Sequence, residues 1–141
     1  MSPKLLRLLL VTNLYPPQEL GGYGRSMADF CWGLQQRGHT VSVISSDAPY
    51  LGPSSAGPSG EPVDRRLQLK GSFQGGVRQL QEPAARAAVD TNNHALLKHW
   101  IDKGAWDGIL LGNLDLLGTE LLAPLLESGL PLLHHIGFVT P

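Results

Sequence analysis

Residues 5–47 read LLRLLLVTNLYPPQELGGYGRSMADFCWGLQQRGHTVSVISSD, and together they predict a strand, a loop, a helix and a second strand. The run 5–12 is short and almost wholly apolar, which is typical of a strand buried on both faces of a parallel sheet. Gly38 suits the left-handed position after a helix, and an apolar run at 40–45 predicts the second strand. Within residues 25–37, four apolar side chains repeat at helical spacing: Met27, Phe30, Cys31 and Leu34.

The rest of the chain continues the alternation of strands and helices. A strand at 63–69 carries three charged residues and is expected at an edge of the sheet. This alternation favours a mainly parallel, doubly wound sheet. We predict one Rossmann-like, three-layer α/β/α domain over residues 1–141, with a flexible loop rich in Gly, Pro and Ser at 48–62. Further elements are predicted as a helix at 83–103, a strand at 106–111, a helix at 119–128 that Pro124 kinks or delays, and a strand at 131–136.

Composition excludes several classes of protein. The 141 residues include 11 Lys and Arg, 12 Asp and Glu, and one cysteine. A net charge of −1 removes the electrostatic basis for nucleic-acid binding. Cys31 alone can form neither an internal disulfide nor a Cys-pair zinc site, and a reducing, cytoplasmic location is expected. The sequence stops directly after a predicted strand, so we expect it to be part of a longer protein.

The loop after the first strand is the clearest candidate for a binding site. It contains Gly21, Gly22 and Tyr23, and it leads into the helix predicted over residues 25–37, which carries Arg25 in its first turn. Glycines ahead of a helix allow backbone N–H groups to approach an anion, and the helix dipole favours negative charge there. The pattern predicts a phosphate or diphosphate site, although the same glycines would also suit a simple turn.

A dinucleotide-binding site is an alternative for the same loop. Residues 22–27 partly match G-x-G-x-x-G/A, but the third position is Met27 and the glycines come well after the strand ends. Asp47 follows the second strand, where an acid that binds ribose would lie. On this hypothesis the chain is the dinucleotide-binding domain of an oxidoreductase. A further alternative is a non-catalytic carbohydrate-binding or interaction module.

The quoted segment resembles the opening of glycosyltransferases of the GT-B fold, most closely those of family 4. These enzymes begin with a strand, a YPP…GG loop, a helix, an RGHEV segment and a second strand; here the RGHTV sequence at 37–41 fits. The sequence WDGILLGN at 106–113 is similar to a later strand of the family. The sequence SGLPLLHHIGF at 128–138 is similar to the strand that follows it.

The resemblance implies a specific activity. A protein of this family transfers a sugar from a nucleotide-sugar donor to an acceptor, with retention at the anomeric carbon and without a metal or other cofactor. This chain would be the N-terminal, acceptor-side domain, and a C-terminal domain that holds most of the donor would be its missing partner. By motif position, Gly22, with Gly21 beside it, would contact the donor diphosphate. The isolated chain would be inactive, and a peripheral membrane association of the parent protein stays open.

Sugar- or acceptor-binding residues are expected near the ends of the last two predicted strands. The family places a histidine near the end of the last strand, and this sequence has His134 and His135 there, with Gly137 at the position that the family's spacing indicates. Asn113 follows the preceding strand, and its amide would bind acceptor hydroxyls or form a turn. No catalytic residue is assigned within this chain.

Overall fold

The computed structural model describes residues 4–18, 23–47, 54–74 and 77–134, with the backbone alone for 23–25, 54–55, 73–74 and 77–79. A single 3-10 turn, Thr119–Leu121, precedes the last helix. The elements are β1 (Arg7–Val11), α1 (Tyr23–Gln36), β2 (Thr40–Ser46), β3 (Ser54–Ala56), β4 (Pro62–Leu67), β5 (Gly71–Gln74), β6 (Val77–Leu80), α2 (Pro83–Lys103), β7 (Gly108–Leu111), α3 (Leu122–Glu127) and β8 (Leu132–His134).

Within these residues, six strands form one sheet in the order β3-β4-β2-β1-β7-β8. Only β3 runs antiparallel, beside β4; the other five strands, β4 included, are parallel to one another. β1 is central, and its Leu10 lies between Val43 of β2 and Leu110 of β7. The predicted Rossmann-like α/β fold is confirmed.

The sheet separates two apolar cores, because successive side chains of a strand point to opposite faces. Leu8 and Leu10 of β1 pack with Met27 and Cys31 of α1 on one face. Leu9 and Val11 belong to the other core, which contains apolar side chains of α2 and α3. The three layers follow directly from this alternation in a strand that is apolar throughout.

The helices lie close to their predicted positions. α2 spans the predicted residues, and Gly104 follows it. α1 begins at Tyr23, two residues earlier than expected. The predicted helix at 119–128 begins as the 3-10 turn, and its α-helical part starts at Leu122. Pro124 therefore lies in the first α-helical turn, where a missing N–H breaks no intrahelical bond.

The prediction that the strand at 63–69 forms an edge is wrong. β4 lies between β2 and β3, and its charged side chains have partners inside the fold. Asp64 accepts hydrogen bonds from Arg66 Nη2 and Trp100 Nε1, both at 2.7 Å. Arg65 is only 1% exposed. Charge in this strand thus marks internal polar contacts and not an exposed edge.

Three short strands were absent from the sequence-based prediction. β3 lies inside the segment 48–62 that was expected to be a loop, and β5 and β6 form an antiparallel hairpin between β4 and α2. The hairpin begins and ends at neighbouring backbone positions, since Gln81 N donates to Lys70 O at 2.8 Å. No helix in the described parts of the chain is long and apolar enough to cross a membrane.

Candidate functional site

The candidate site lies at the carboxyl ends of β1 and β7, where the strand order reverses. From β1 the chain passes through α1 to β2 and β4 on one side, and it later returns through α2 to β7 on the other. Open α/β sheets bind their ligands in the crevice at such a reversal. The amino-terminal end of α1, at Tyr23, follows the loop after β1 and adds a partial positive charge.

Hydrogen bonds join the two loops that meet at this reversal. Asn13 N donates to Asn113 O at 2.8 Å, and the Asn13 side chain donates from Nδ2 to Asp115 O at 3.0 Å. Asn113 N donates to Thr12 Oγ1 at 3.2 Å. The loop after β1 is thereby fixed to the loop after β7.

Gly112 allows α1 to pack closely over this point. A Cβ atom at Gly112 would lie 2.6 Å from Thr12 Oγ1 and 2.9 Å from Met27 Sδ. Real Cβ atoms do not approach other atoms so closely, so any side chain here would push α1 or β1 away. The absence of a side chain at Gly112 therefore sets the position of α1 relative to the end of β7.

The turn 15–18 begins the segment that leads to α1, and a buried arginine holds it. Arg65 Nη1 donates to Tyr15 O at 3.1 Å and to Gln18 Oε1 at 2.8 Å, while Nη2 donates to Pro16 O at 2.6 Å. Within the turn, Gln18 N donates to Tyr15 O at 3.1 Å. One guanidinium thus binds three oxygen atoms of a four-residue segment.

The same turn is attached to the end of β2. Gln18 Nε2 donates to Ser46 O at 3.0 Å, and its Oε1 also accepts from Tyr15 N at 2.8 Å. Ser46 Oγ donates to Asn13 O at 2.6 Å. The whole segment 13–18 is therefore held by side chains of β2 and β4 before the chain continues towards α1.

Arg65 places a buried positive charge beside the turn 15–18. Burial lowers the pKa of Arg65 below its usual value, and the charge of Asp47 nearby acts in the opposite direction. A guanidinium stays protonated at neutral pH in proteins. The positive charge is consequently stabilised by the carbonyl and amide oxygens of the turn, which orients those oxygens towards Arg65.

A second buried polar contact, between Tyr15 and Glu61, also holds the turn 15–18. The Tyr15 hydroxyl donates to Glu61 Oε2, and Glu61 Oε1 also accepts from Ser59 N at 2.8 Å. Burial raises the pKa of Tyr15, and Cys31 and Glu61 add to the effect. Tyr15 therefore acts here as a neutral hydrogen-bond donor that anchors the turn to the β3–β4 connection.

A cluster of charged residues lies beside the loop after β7. Lys70 Nζ lies 2.8 Å from both Asp90 Oδ1 and Glu120 Oε2, and Lys70 N donates to Leu116 O at 2.7 Å. Burial acts to lower the pKa of Lys70, but the two carboxylates outweigh it, so that the pKa is raised. This cluster attaches the end of β4 and α2 to the loop that precedes α3.

The structure describes some of the predicted site residues and not others. Gly21, Gly22, His135 and Gly137 lie outside the described residues. Tyr23 and Arg25 belong to the first turn of α1 by their backbone.

Asn113 and His134 are described in full, and both lie at carboxyl ends of strands. Asn113 Oδ1 accepts a hydrogen bond from Asp115 N at 2.9 Å. This is the turn-forming arrangement, which the sequence analysis gave as the alternative to a binding role. His134 ends β8 beside Leu111 of β7, and its side chain is exposed. The two residues therefore lie at the carboxyl ends of neighbouring strands, on the same edge of the sheet.

Sequence reasoning missed the residues that hold the loop after β1, namely Arg65, Gln18 and Glu61. One signal was present: charged residues stood in a strand whose other positions are apolar. It was interpreted as an exposed edge, whereas burial of a charged residue requires partners from elsewhere in the chain. Among the described residues, no group of three or more His, Cys, Asp or Glu side chains is placed to hold a metal ion.

Comparison with known proteins gives matches of structure alone. No protein-family profile matches the chain, and no curated protein matches it. MurG of Acinetobacter baumannii superposes with a TM-score of 0.53 over 92% of this chain, at 16% identity. The match covers 35% of the MurG chain, so this chain spans about a third of that protein's length.

A second solved structure has the same fold over a similar length. The C-terminal domain of a Pyrococcus furiosus hydrogenase superposes with a TM-score of 0.54 at 13% identity. The match covers 96% of this chain and 95% of that domain. At these identities the likenesses concern the fold, which is GT-B-like and Rossmann-like.

Proposed function

We propose that the chain is the N-terminal, acceptor-side domain of a retaining glycosyltransferase that uses a nucleotide-sugar donor. The observation that carries the proposal is the position of the α1 amino terminus. It follows the YPP…GG segment and lies at the reversal of strand order between β1 and β7. The likeness to part of MurG supports a GT-B-like fold for such a domain.

In this proposal, the domain acts electrostatically on the departing diphosphate. Backbone N–H groups at Gly21 and Gly22, together with the first turn of α1 at Tyr23 and Arg25, stabilise the negative charge that develops as the sugar leaves. Preorganised donors of this kind lower the barrier because they need no rearrangement during the reaction. No metal or cofactor is required in this half.

Sugar and acceptor hydroxyls would bind on the neighbouring strand ends. Asn113 and His134 lie on that edge, and we assign His135 and Gly137 to the same region from the sequence. A neutral imidazole and an amide each donate and accept hydrogen bonds, which suits the hydroxyl groups of a sugar. A second domain would provide most of the donor contacts, and a cytoplasmic location is part of the proposal.

The experiment that tests this proposal is an NMR titration of the 15N-labelled 141-residue chain. Pyrophosphate, UDP, GDP and NAD are added in separate titrations, and the chemical shifts of the backbone amides are recorded. We expect pyrophosphate and at least one nucleoside diphosphate to shift the amides of Tyr23 and Gly24. Gly22→Val should abolish the shifts, since a side chain blocks the approach of an anion to the backbone. The matched control is Gly33→Val in the middle of α1.

Three outcomes would contradict the proposal. If NAD alone shifts the amides of Tyr23 and Gly24, the dinucleotide-binding alternative is favoured. If none of the four compounds shifts them, the diphosphate site is wrong. Sugar transfer by the 141-residue chain on its own would contradict the assignment of the donor site to a second domain.

A dinucleotide-binding domain of an oxidoreductase is the second candidate, because the likeness to a hydrogenase domain covers nearly the whole of both chains. The length of the loop after β1 argues against it. β1 ends at Val11, so Gly21 comes ten residues later, whereas a dinucleotide fingerprint needs its glycines in the turn directly after the strand. The NAD arm of the titration decides between the two candidates.

A further inference from the structure

We propose that Arg7 and Lys103 form a binding site for a dianionic phosphate group at the amino-terminal edge of the sheet. Arg7 is the first residue of β1, and Lys103 is the last residue of α2, the helix that leads to the start of β7. Both residues therefore lie at the edge opposite the crevice after β1 and β7. This site is independent of the proposed function.

Two tryptophans hold the side chains of both cations. The Arg7 guanidinium carbon lies 4.6 Å from the centre of the Trp106 ring, and Lys103 Nζ lies 4.8 Å from the centre of the Trp100 ring. The two indoles are 6.2 Å apart, and Trp106 Nε1 donates to Trp100 O at 2.7 Å. Because the face of an indole attracts a cation, the two side chains are held near each other before a ligand binds.

Gly104 brings the guanidinium close to the end of α2. A Cβ atom at Gly104 would lie 3.1 Å from Arg7 Nη1 and 3.3 Å from both Cζ and Nη2. The guanidinium therefore packs directly against the residue that follows Lys103. A guanidinium that stacks on a ring keeps its N–H donors at its edges, where they can bind two oxygens of one phosphate group.

The charges around the two cations leave them without a counter-ion. Among the described residues, neither Arg7 nor Lys103 forms an ion pair. The two nearest carboxylates in the sequence, Asp102 and Asp107, each lie 3.1 Å from the ammonium group of another lysine. Two positive charges of this kind match the two negative charges of a phosphate group better than the single charge of a carboxylate.

The end of α2 explains only part of this arrangement. The carbonyl groups at the carboxyl end of a helix attract cations, which accounts for Lys103 in the last turn. Arg7 comes from another element, and its side chain is exposed although it is stacked on Trp106. Its donors are therefore accessible to a ligand. Because the same helix end disfavours an anion, we expect a dissociation constant in the millimolar range.

The site is tested by NMR titration of the 15N-labelled 141-residue chain with sodium phosphate at about pH 8, where a phosphate group carries close to two negative charges. Sodium chloride and sodium acetate at the same ionic strength are the control titrations. We expect phosphate alone to shift the amide of Gly104 and the indole N–H of Trp106. Shifts of equal size with chloride or acetate, or no shifts with phosphate, would overturn the proposal.

Arg7→Lys and the matched control Arg66→Lys test the role of the guanidinium. Both changes keep the charge, but Arg66 lies in β4 and pairs with Asp64. In Arg7→Lys we expect the affinity for phosphate to weaken by about tenfold, the effect of losing one hydrogen bond between charged groups. Arg66→Lys should bind phosphate as the wild type does.

Lys103→Met keeps the proposal testable if Arg7→Lys does not fold. This variant removes one of the two charges and leaves β1 unchanged, so we expect weaker binding of phosphate here as well. A folded Arg7→Lys or Lys103→Met chain that binds phosphate as tightly as the wild type would overturn the site.

Vesicles distinguish two sources of the phosphate group. Sedimentation of the wild type, but not of Lys103→Met, with phosphatidylcholine vesicles that contain phosphatidic acid would assign the group to a lipid headgroup. Shifts of Gly104 with phosphate but no such sedimentation would assign it to a soluble compound. The function proposed above depends on the amides of Tyr23 and Gly24, so the failure of either proposal is observed at different residues.

Discussion

Ser46 donates a hydrogen bond from its Oγ to the carbonyl oxygen of Asn13, 2.6 Å away, and so joins the last residue of β2 to the loop after β1. The preceding residue, Ser45, is also fully buried, but its Oγ has no hydrogen-bond partner among the described residues. Two adjacent serines thus contribute differently to stability. A buried polar atom without a partner costs free energy, whereas a paired one stabilises the fold.

This difference gives a prediction for two alanine variants. We expect Ser46→Ala to lower the free energy of unfolding by about 1 kcal/mol. Ser45→Ala should be at least as stable as the wild type, because it removes an unpaired buried hydroxyl. Urea denaturation of both variants measures the difference. Equal destabilisation of the two would show that Ser45 Oγ has a partner in a part of the chain that the structure does not describe.

Two glycine-to-alanine variants are expected to have opposite effects. Gly112→Ala places a Cβ 2.6 Å from Thr12 Oγ1, so we expect a loss of about 1–3 kcal/mol from overpacking. Gly33→Ala meets no atom within 4 Å and lies inside α1, so it should gain about 0.5–1 kcal/mol of helix stability. Thermal unfolding of both variants checks this. A neutral Gly112→Ala would mean that α1 does not lie as close to β7 as we describe.

Asp64 should make the stability of the chain depend on pH. Burial acts to raise its pKa, but hydrogen bonds from Arg66 and Trp100 outweigh it, so that the pKa is lowered. A carboxyl whose pKa is lower in the folded state stabilises the fold above its unfolded pKa, near 3.9, and loses this contribution as the pH falls through the folded pKa.

Asp64→Asn tests this dependence. We expect the variant to be less stable than the wild type at pH 7 and the gap in melting temperature to shrink as the pH falls below about 4. The control is Asp102→Asn, because Asp102 forms an exposed ion pair with Lys98 that should contribute little at any pH. A gap that does not change between pH 7 and pH 3 contradicts the role of the Asp64 carboxylate.

Cys31 should be chemically inert in the folded chain. Burial raises the pKa of its thiol to about 11; the hydrogen bond with Tyr15 lowers it and Glu61 raises it. At pH 8 only about one thiol in a thousand would be ionised, and the thiolate is the form that reacts. We expect iodoacetamide to modify Cys31 only in denaturant. Rapid modification of the native chain would show that the core between α1 and the sheet opens.

The regular part of the fold could be predicted because its signals are local. The apolar run of β1, the helical spacing in α1, and Pro83 and Gly104 at the ends of α2 each lie within one element. The strands β3, β5 and β6 were missed because they are only three or four residues long and lack a clear apolar alternation. Their formation depends on pairing with other strands, which local pattern does not show.

The position of the candidate site could be predicted from the sequence, but the contacts that hold its loops in place could not. A glycine segment ahead of a helix indicates an anion site from neighbouring residues alone. The contacts of Arg65 with Tyr15, Pro16 and Gln18 span 47 to 50 positions of the chain. Only the folded arrangement of β4 beside β2 brings these groups together.

The β5–β6 hairpin leaves and rejoins the domain at adjacent points, since Lys70 and Gln81 are bonded through their backbones. A segment whose two ends already meet can be lengthened, shortened or exchanged during evolution at little cost to the sheet, because loop length affects stability only weakly. The hairpin is therefore a natural place for related proteins to diverge. New specificities could arise there while the strands and the contacts of Arg65 stay unchanged.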